Sequence, residues 1–232
     1  MKIALLGYGK MGKTIEKLAV EAGHTIVYKS GSSSQSGNLK LANVAIEFST
    51  PETAIANITQ CFENNIPVVS GTTGWLSKKA DVEKICKERN GSFIYASNFS
   101  VGVNLFFELN KQLAKLMKPW KEYTASIEEI HHIEKKDAPS GTAITLAEGI
   151  IENHDSTNWS LDKKGDGVIN ISAKREPEVK GTHTIEYMSQ IDTISITHEA
   201  HTRDGFAKGA IIAAEFLQDK KGIFSMKEVL GI

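Results

Sequence analysis

Residues 131 to 142 read HHIEKKDAPSGT and concentrate the residue types that move protons and hold anions. The imidazoles of His131 and His132 and the ammonium groups of Lys135 and Lys136 run into a proline-bearing turn, after which Ser140, Gly141 and Thr142 read as the start of a helix. Proton donors therefore stand beside backbone N–H groups that can cradle an anion. This arrangement suits a small, negatively charged substrate that must be gripped and protonated. In an ideal strand His131 and Lys135 share a face but stand about 13 Å apart, with His132 pointing the other way. All three can serve one small ring only if the strand ends near His132 and the chain turns. Asp137, Ala138 and Pro139 supply a turn, with Asp137 and Ser140 read as turn and cap residues and Lys136 as a solvated neighbour. Without such neighbours, paired histidines are more often surface or core features. Glu128, Glu129 and Glu134 could join the histidines around a metal, but strand alternation scatters them over both faces, so no metal is expected.

A second constellation lies at the N-terminus. Gly7, Tyr8, Gly9, Lys10, Met11 and Gly12 form a GxGxxG immediately after an apolar run and before a helical pattern. The first glycine permits a tight turn, the second lets the backbone approach a pyrophosphate, and the third lets helix pack close to strand. A merely tight turn is the competing reading, and the strand, turn and helix order at residue 7 favours the dinucleotide. An acid for the ribose hydroxyls of NAD belongs about twenty residues further on. That run instead ends in Tyr28, Lys29 and Ser30, with no acid. Lys29 among serine hydroxyls suits the 2′-phosphate of NADPH, with NADH use left open; a solvated loop lysine is the other reading.

The elements that must position these groups fall into two patterns. Up to about residue 100, short β-favouring runs (Ile3 to Leu6, Thr25 to Tyr28, Val44 to Phe48, Val68 to Ser70, Phe93 to Tyr95) alternate with helical patterns, as in a Rossmann-like doubly wound parallel sheet. The sheet is expected to be trimmed, because SGSSSQSG at 30 to 37 is too polar for a strand and crossover helix. Beyond residue 100, a helix with Phe106, Leu109, Leu113, Leu116 and Met117 on one face precedes long alternating strands at 123–130, 168–173, 183–188 and 193–198, the last two forming a hairpin. Residues 153 to 167 read as a loop. Together these predict an α+β domain with an open mixed sheet. Residues 1–102 and 204–232 are then the dinucleotide-binding domain, and 103–203 the substrate-binding and oligomerisation domain. The 232 residues carry 27 Lys and Arg against 28 Asp and Glu, a net charge of −1, which gives no global field toward nucleic acid or a membrane surface. Cys61 and Cys86 read as reduced core thiols of a cytoplasmic protein, and no apolar run approaches the roughly 20 residues that span a bilayer.

Together the motifs resemble the 4-hydroxy-tetrahydrodipicolinate (dihydrodipicolinate) reductase family. The matching stretches are the glycine turn, VAIEFSTPE at 44–52, GTTGW at 71–75, ASNFSVGVN at 96–104, HHIEKKDAPSGTA at 131–143, GTH at 181–183 and FAKGA at 206–210, in the family's order. The resemblance implies hydride transfer from NAD(P)H to a cyclic imine-type dicarboxylate in lysine and diaminopimelate biosynthesis, after loss of water from the hydroxylated substrate. It implies acid/base roles for His131 and Lys135, substrate contact by His132, and carboxylate binding by Gly141 and Thr142. It implies cofactor contacts at Gly7 to Gly12, at Gly71, Thr72 and Thr73, and at Ala96, Ser97, Asn98 and Phe99, and it implies a homotetramer. Arg203 is assigned either to the domain junction or to substrate. The chain departs from the family where Arg175 leads into Glu176, Pro177 and Glu178 instead of glycines, and in the shortened 30–37 region. Another small NAD(P)-dependent dehydrogenase, such as one acting on aspartate, and a nucleotide-sensing protein without catalysis are the alternatives. A sensor needs no proton donor, so His131 and Lys135 weigh against it.

Overall fold

A computed structural model describes every residue except Ser33 and Lys164. The chain divides into two compact units, Met1–Asn104 with Asp204–Ile232, and Leu105–Arg203.

The first unit is built on a seven-stranded sheet. Its strands are β1 (Lys2–Leu6), β2 (Thr25–Ser30), β3 (Gln35–Gly37), β4 (Val44–Glu47), β5 (Val68–Ser70), β6 (Ser92–Tyr95) and, from the C-terminus, β12 (Gly222–Phe224). They lie in the order β12-β6-β5-β4-β1-β2-β3, and every pairing is parallel except that of β2 with β3. Ile3, Ala4, Leu5 and Leu6 are all buried, as are Val44 to Glu47, because helices cover both faces of the sheet. These helices are α1 (Lys10–Glu21), α2 (Pro51–Glu63) and α3 (Lys79–Glu88), with α6 (Asp204–Leu217) and α7 (Met226–Leu230) returning from the C-terminal segment. Chain order reverses between β1 and β4, and such a switch point is where open α/β sheets bind ligands, beyond the carboxyl ends of the strands.

Among its described residues segment 30–37 has no helix, and it differs from expectation only where Gln35–Gly37 pairs with the sheet. It forms a short edge strand antiparallel to β2, pairing Tyr28 with Gly37 and Ser30 with Gln35; Ser33, within it, lies outside the described residues. Polar residues suffice there because backbone pairing, not apolar burial, holds an edge strand.

The second unit contains a five-stranded mixed sheet in the order β11-β10-β7-β9-β8. β7 (Thr124–His131) is central, β9 (Val168–Arg175) and β8 (Asn158–Leu161) run parallel to it, and β10 (Thr182–Met188) and β11 (Thr193–Glu199) form an antiparallel hairpin. β8 occupies part of what the sequence presented as a loop; Lys164 in the same segment lies outside the described residues. One face packs Ile127, Ile169, Ile171, Ile185 and Tyr187 against α4 (Val101–Met117) and α5 (Gly141–Ile151), represented by Phe106, Ala114, Leu146 and Ile150. Fully burying such a side chain contributes about 1.5–3 kcal/mol. Leu109 and Leu116, expected on the buried face of α4, are 51% and 70% exposed. The inward face instead runs Phe106, Asn110, Ala114, Met117, with the Asn110 amide donating to the Leu146 carbonyl at 2.9 Å. Among the described residues no helix is long and apolar enough to cross a membrane. Cys61 and Cys86 are buried free thiols, and burial pushes them up to about 12 and about 11.

Candidate active site

Along β7 the inward positions are Ala125, Ile127, Glu129 and His131, so the face that is apolar at one end becomes polar at the other. The same alternation brings in the neighbours: His183 of β10 lies opposite Glu129, and Arg175 of β9 lies opposite His131. Glu129 is fully buried. The Ser140 N–H donates to both of its oxygens at 3.1 Å, Arg175 Nη2 donates to Oε1 at 3.4 Å, and His131 Nδ1 and His183 Nε2 stand 3.6 and 3.7 Å from Oε2. Burial opposes its ionisation, but His183, Ser140 and His131 outweigh burial and hold Glu129 at about 2. The His131 and His183 rings meet edge to face with centroids 5.0 Å apart. Burial first, then the neighbouring His183, pulls His131 down to about 4, against the opposing pull of Glu129. His131 is thus a neutral imidazole at neutral pH, with its buried Nδ1 directed at the carboxylate and no hydrogen bond made. Its Nε2 faces Gly181, where a Cβ would approach within 3.2 Å.

The strand ends at His131, and the Lys135 N–H closes a turn onto the His132 carbonyl at 3.1 Å. This is the break that joint action of His131, His132 and Lys135 requires. Arg175 fastens the turn, donating to the carbonyls of Lys135 at 3.3 Å and Asp137 at 2.7 Å. Lys135 Nζ is paired with both oxygens of Asp137, at 2.9 and 2.8 Å, and Asp137 is lowered by that ammonium. His132 points elsewhere, with Nε2 3.3 Å from Arg203 Nη2. It lines a cavity of about 440 Å³ with Arg203, Lys180 and Glu178, so within this unit Arg203 stands on the His132 side.

Ser140 caps α5, its hydroxyl accepting from the Ala143 N–H at 3.2 Å and lying 3.2 Å from His183 Nε2. The first turn of α5 has no acidic residue, and a Cβ on Gly141 would meet nothing within 4 Å. The N–H groups of Gly141 and Thr142 therefore open a helix N-terminus to an anion. Glu129, His131 and His183 also group ligand-type atoms within 4.8 Å of one another. Alternation does set Glu128 and Glu129 on opposite faces, and it leaves Glu129 on the same face as His131, because residues two apart on a strand share a face. Arg175 and the Ser140 N–H already supply positive charge and donors to Glu129, which is the chemistry of a hydrogen-bond network.

In the first unit the glycine turn follows β1 at the switch point. A Cβ on Gly7 would strike the Phe48 carbonyl oxygen at 2.0 Å, and one on Gly12 the Gly7 carbonyl oxygen at 2.4 Å, whereas one on Gly9 would meet nothing within 4 Å. Two glycines thus allow close backbone packing and the middle one leaves an open cradle. Gly9 caps α1 with no side-chain hydrogen bond, and the first turn carries no acid and begins at Lys10 and Met11, so its free N–H groups fit a pyrophosphate. At the end of β5, a Cβ on Gly71 would run into the Phe48 ring at 2.2 Å. The Thr72 hydroxyl donates to buried Glu47 at 2.8 Å and accepts from the Ser49 N–H at 2.8 Å, its carbonyl accepts from Trp75 Nε1 at 2.7 Å, and Thr73 beside it is exposed. Ala96, Ser97 and Asn98 follow β6 and are at least partly accessible, while Phe99 is buried in the core against Phe48. Lys29 is paired with Glu16 at 3.1 Å, so the end of β2 does have an acid beside it, contributed by α1.

Glu129, His183, Arg175 and Glu16 are the site residues that sequence reasoning missed or set aside. Strand alternation carries the signal for Glu129. The other three depend on which elements become neighbours.

Fold and site define an α/β protein with a dinucleotide-type glycine turn in one unit and an imidazole, lysine and helix N-terminus constellation in the other. Comparison with known proteins narrows this class. Family models described as dihydrodipicolinate reductase, N-terminus, and dihydrodipicolinate reductase, C-terminus, match residues 1–99 and 102–230, and the chain belongs to the dihydrodipicolinate reductase family. It is 54% identical, over all of its length and 98% of the relative's, to the 4-hydroxy-tetrahydrodipicolinate reductase of Christiangramia forsetii. To that of Aquifex aeolicus it is 38% identical over 84% of this chain and 75% of the relative. Among solved structures, the dipicolinate-bound dihydrodipicolinate reductase from Paenisporosarcina sp. TG-14 shares the fold, with a TM-score of 0.77, 22% identity and 98% of both chains covered.

Proposed function

We propose that this chain reduces 4-hydroxy-tetrahydrodipicolinate to tetrahydrodipicolinate with a reduced nicotinamide dinucleotide, in lysine and diaminopimelate biosynthesis. The observation that carries this reading is the buried Glu129 carboxylate, which holds the 135–137 turn through Arg175 and the first turn of α5, and which His131 Nδ1 approaches at 3.6 Å. Family membership supplies the substrate.

The residues from Gly7 to Gly12 would hold the pyrophosphate, and Gly71, Thr72, Thr73, Ala96, Ser97, Asn98 and Phe99 the nicotinamide side, with Phe99 acting through its backbone. When bound, the cofactor would supply the hydride. Water leaves the hydroxylated substrate first, hydride then adds to the conjugated imine, and the electron-rich atom left behind takes a proton. Lys135, whose Nζ is held by Asp137, and His131 share the acid/base work; burial draws His131 down to about 4, and an arriving dicarboxylate raises its proton affinity and recruits it. The N–H groups of Gly141 and Thr142 would grip a carboxylate, and His132, which is turned toward Arg203 in this structure, would contact the substrate after turning back. Lys29 supports NADPH as the main reductant, with NADH also accepted. A homotetramer fits the open five-stranded sheet, and a cytoplasmic setting fits the free thiols Cys61 and Cys86. The test is spectrophotometric: freshly generated hydroxy-tetrahydrodipicolinate should cause loss of reduced-nicotinamide absorbance. Cofactor binding without substrate-dependent oxidation would sink the proposal.

A further inference from the structure

Lys29 does not stand free in the first unit. Its Nζ donates to Glu16 Oε1 at 3.1 Å and lies 4.7 Å from the centroid of the Tyr8 ring, while the Tyr8 hydroxyl donates to Glu16 Oε2. Lys29 and Glu16 are 33% and 26% exposed, so solvent screens the pair only in part. The three residues come from the glycine turn, from α1 and from the end of β2, which is the place where an adenosine ribose is read when a dinucleotide lies on this turn.

We propose that Glu16 is a specificity-determining residue of the dinucleotide site: its carboxylate stands in for the acid missing from the end of β2, accepts from ribose hydroxyls, and restrains Lys29 from a 2′-phosphate. The proposal rests on the nicotinamide reading above. An ionised carboxylate has about four acceptor sites, so Tyr8 and Lys29 leave room for the 2′- and 3′-hydroxyls of an unphosphorylated ribose. A 2′-phosphate changes the balance. Lys29 must exchange Glu16 for the phosphate, and Glu16 is left ionised beside a group of like charge. The proton affinities within the cluster agree: the Tyr8 hydrogen bond lowers Glu16, and the Glu16 hydrogen bond raises Lys29. The chain thereby accepts both reductants, and Glu16 trims the advantage that Lys29 gives to NADPH.

The test compares NADPH and NADH binding to wild type and Glu16→Gln by nicotinamide fluorescence, together with kcat/KM for each. Gln keeps the volume but holds Lys29 weakly and repels no phosphate. The NADPH-to-NADH ratio should rise roughly five- to tenfold in both readouts, from tighter NADPH and weaker NADH, the scale of one charged hydrogen bond in a partly exposed site. An unchanged ratio, or equal losses for both cofactors with an unaltered thermal melt, overturns the proposal. Tyr8→Phe supplies an independent arm: it frees Glu16 Oε2 while leaving the Lys29 pair, so the ratio should not rise, and a rise matching that of Glu16→Gln would contradict the role given to the carboxylate. Failure of the wild type to bind either dinucleotide removes the nicotinamide reading and the proposal with it, a result distinct from an unchanged ratio.

Discussion

On the proposed function Lys135 and His131 start from different surroundings: Lys135 is paired with Asp137, and His131 is a buried imidazole pulled down to about 4. Lys135 is held by Asp137 in a 2.8 Å pair, and to act as proposed it would exchange that carboxylate for one on the substrate. Such an exchange of one carboxylate for another costs little net Coulomb energy, and it would place the ammonium beside the reacting ring. Replacing it with an isosteric apolar chain, Lys135→Met, should lower kcat by roughly 100-fold or more, the range of a lost general acid, with dinucleotide affinity nearly unchanged. Near-normal kcat in steady-state assays would remove Lys135 from the chemistry. His131 leads to a stability prediction. Its affinity for protons is lowered from 6.5 to about 4, so between those values the unfolded chain binds more protons than the folded one. Stability is therefore full above pH 6.5 and falls as pH drops toward 4. Glu129, lowered from 4.5 to about 2, extends the loss below pH 4.5. Urea midpoints across this range should show the decline, and His131→Asn should flatten its upper part. An identical slope in wild type and variant would contradict the buried neutral imidazole.

At the scale of elements, the close approach of α6 to the 96–100 segment has a sharp signature: a Cβ on Gly209 would lie 1.7 Å from the Phe99 carbonyl oxygen. Gly209→Ala should therefore cost about 1–3 kcal/mol in urea unfolding as backbone is pushed aside, and a change within about 0.5 kcal/mol would mean the helix packs less tightly than described. The buried strands and the 182–199 hairpin were legible in sequence because apolar period and turn chemistry mark them. β3 and β8 were not: QSG offers no apolar residue, and NWSL, though Trp159 and Leu161 alternate with polar residues, is only four residues long within a polar segment. The inward face of α4 was misread for a related reason. Asn110 holds a buried position through one hydrogen bond, and hydropathy alone assigned that face to Leu109 and Leu116. In the site, the break of β7 was legible from the need to gather three side chains. Glu16 was not, because a pair between α1 and β2 depends on how the two elements lie side by side.

At the scale of the whole molecule, the second unit has solvent-facing groups that a lone chain leaves uncovered. Leu105, Leu109 and Leu116 on α4 are 47%, 51% and 70% exposed, and the open side of the mixed sheet carries Thr184, Glu186, Ser195 and Thr197. Sedimentation velocity at micromolar concentration should find a species well above the mass of one chain, a tetramer by family resemblance. A single monomeric boundary would contradict it. The proposed function turns on transfer of a hydride from reduced nicotinamide, and the most direct measurement follows it. With reductant deuterated at the transferable nicotinamide position, wild-type protein and freshly generated hydroxy-tetrahydrodipicolinate, mass spectrometry should find tetrahydrodipicolinate carrying one carbon-bound deuterium, formed in step with oxidised cofactor. Product without the label, or cofactor oxidation without product, would contradict the account.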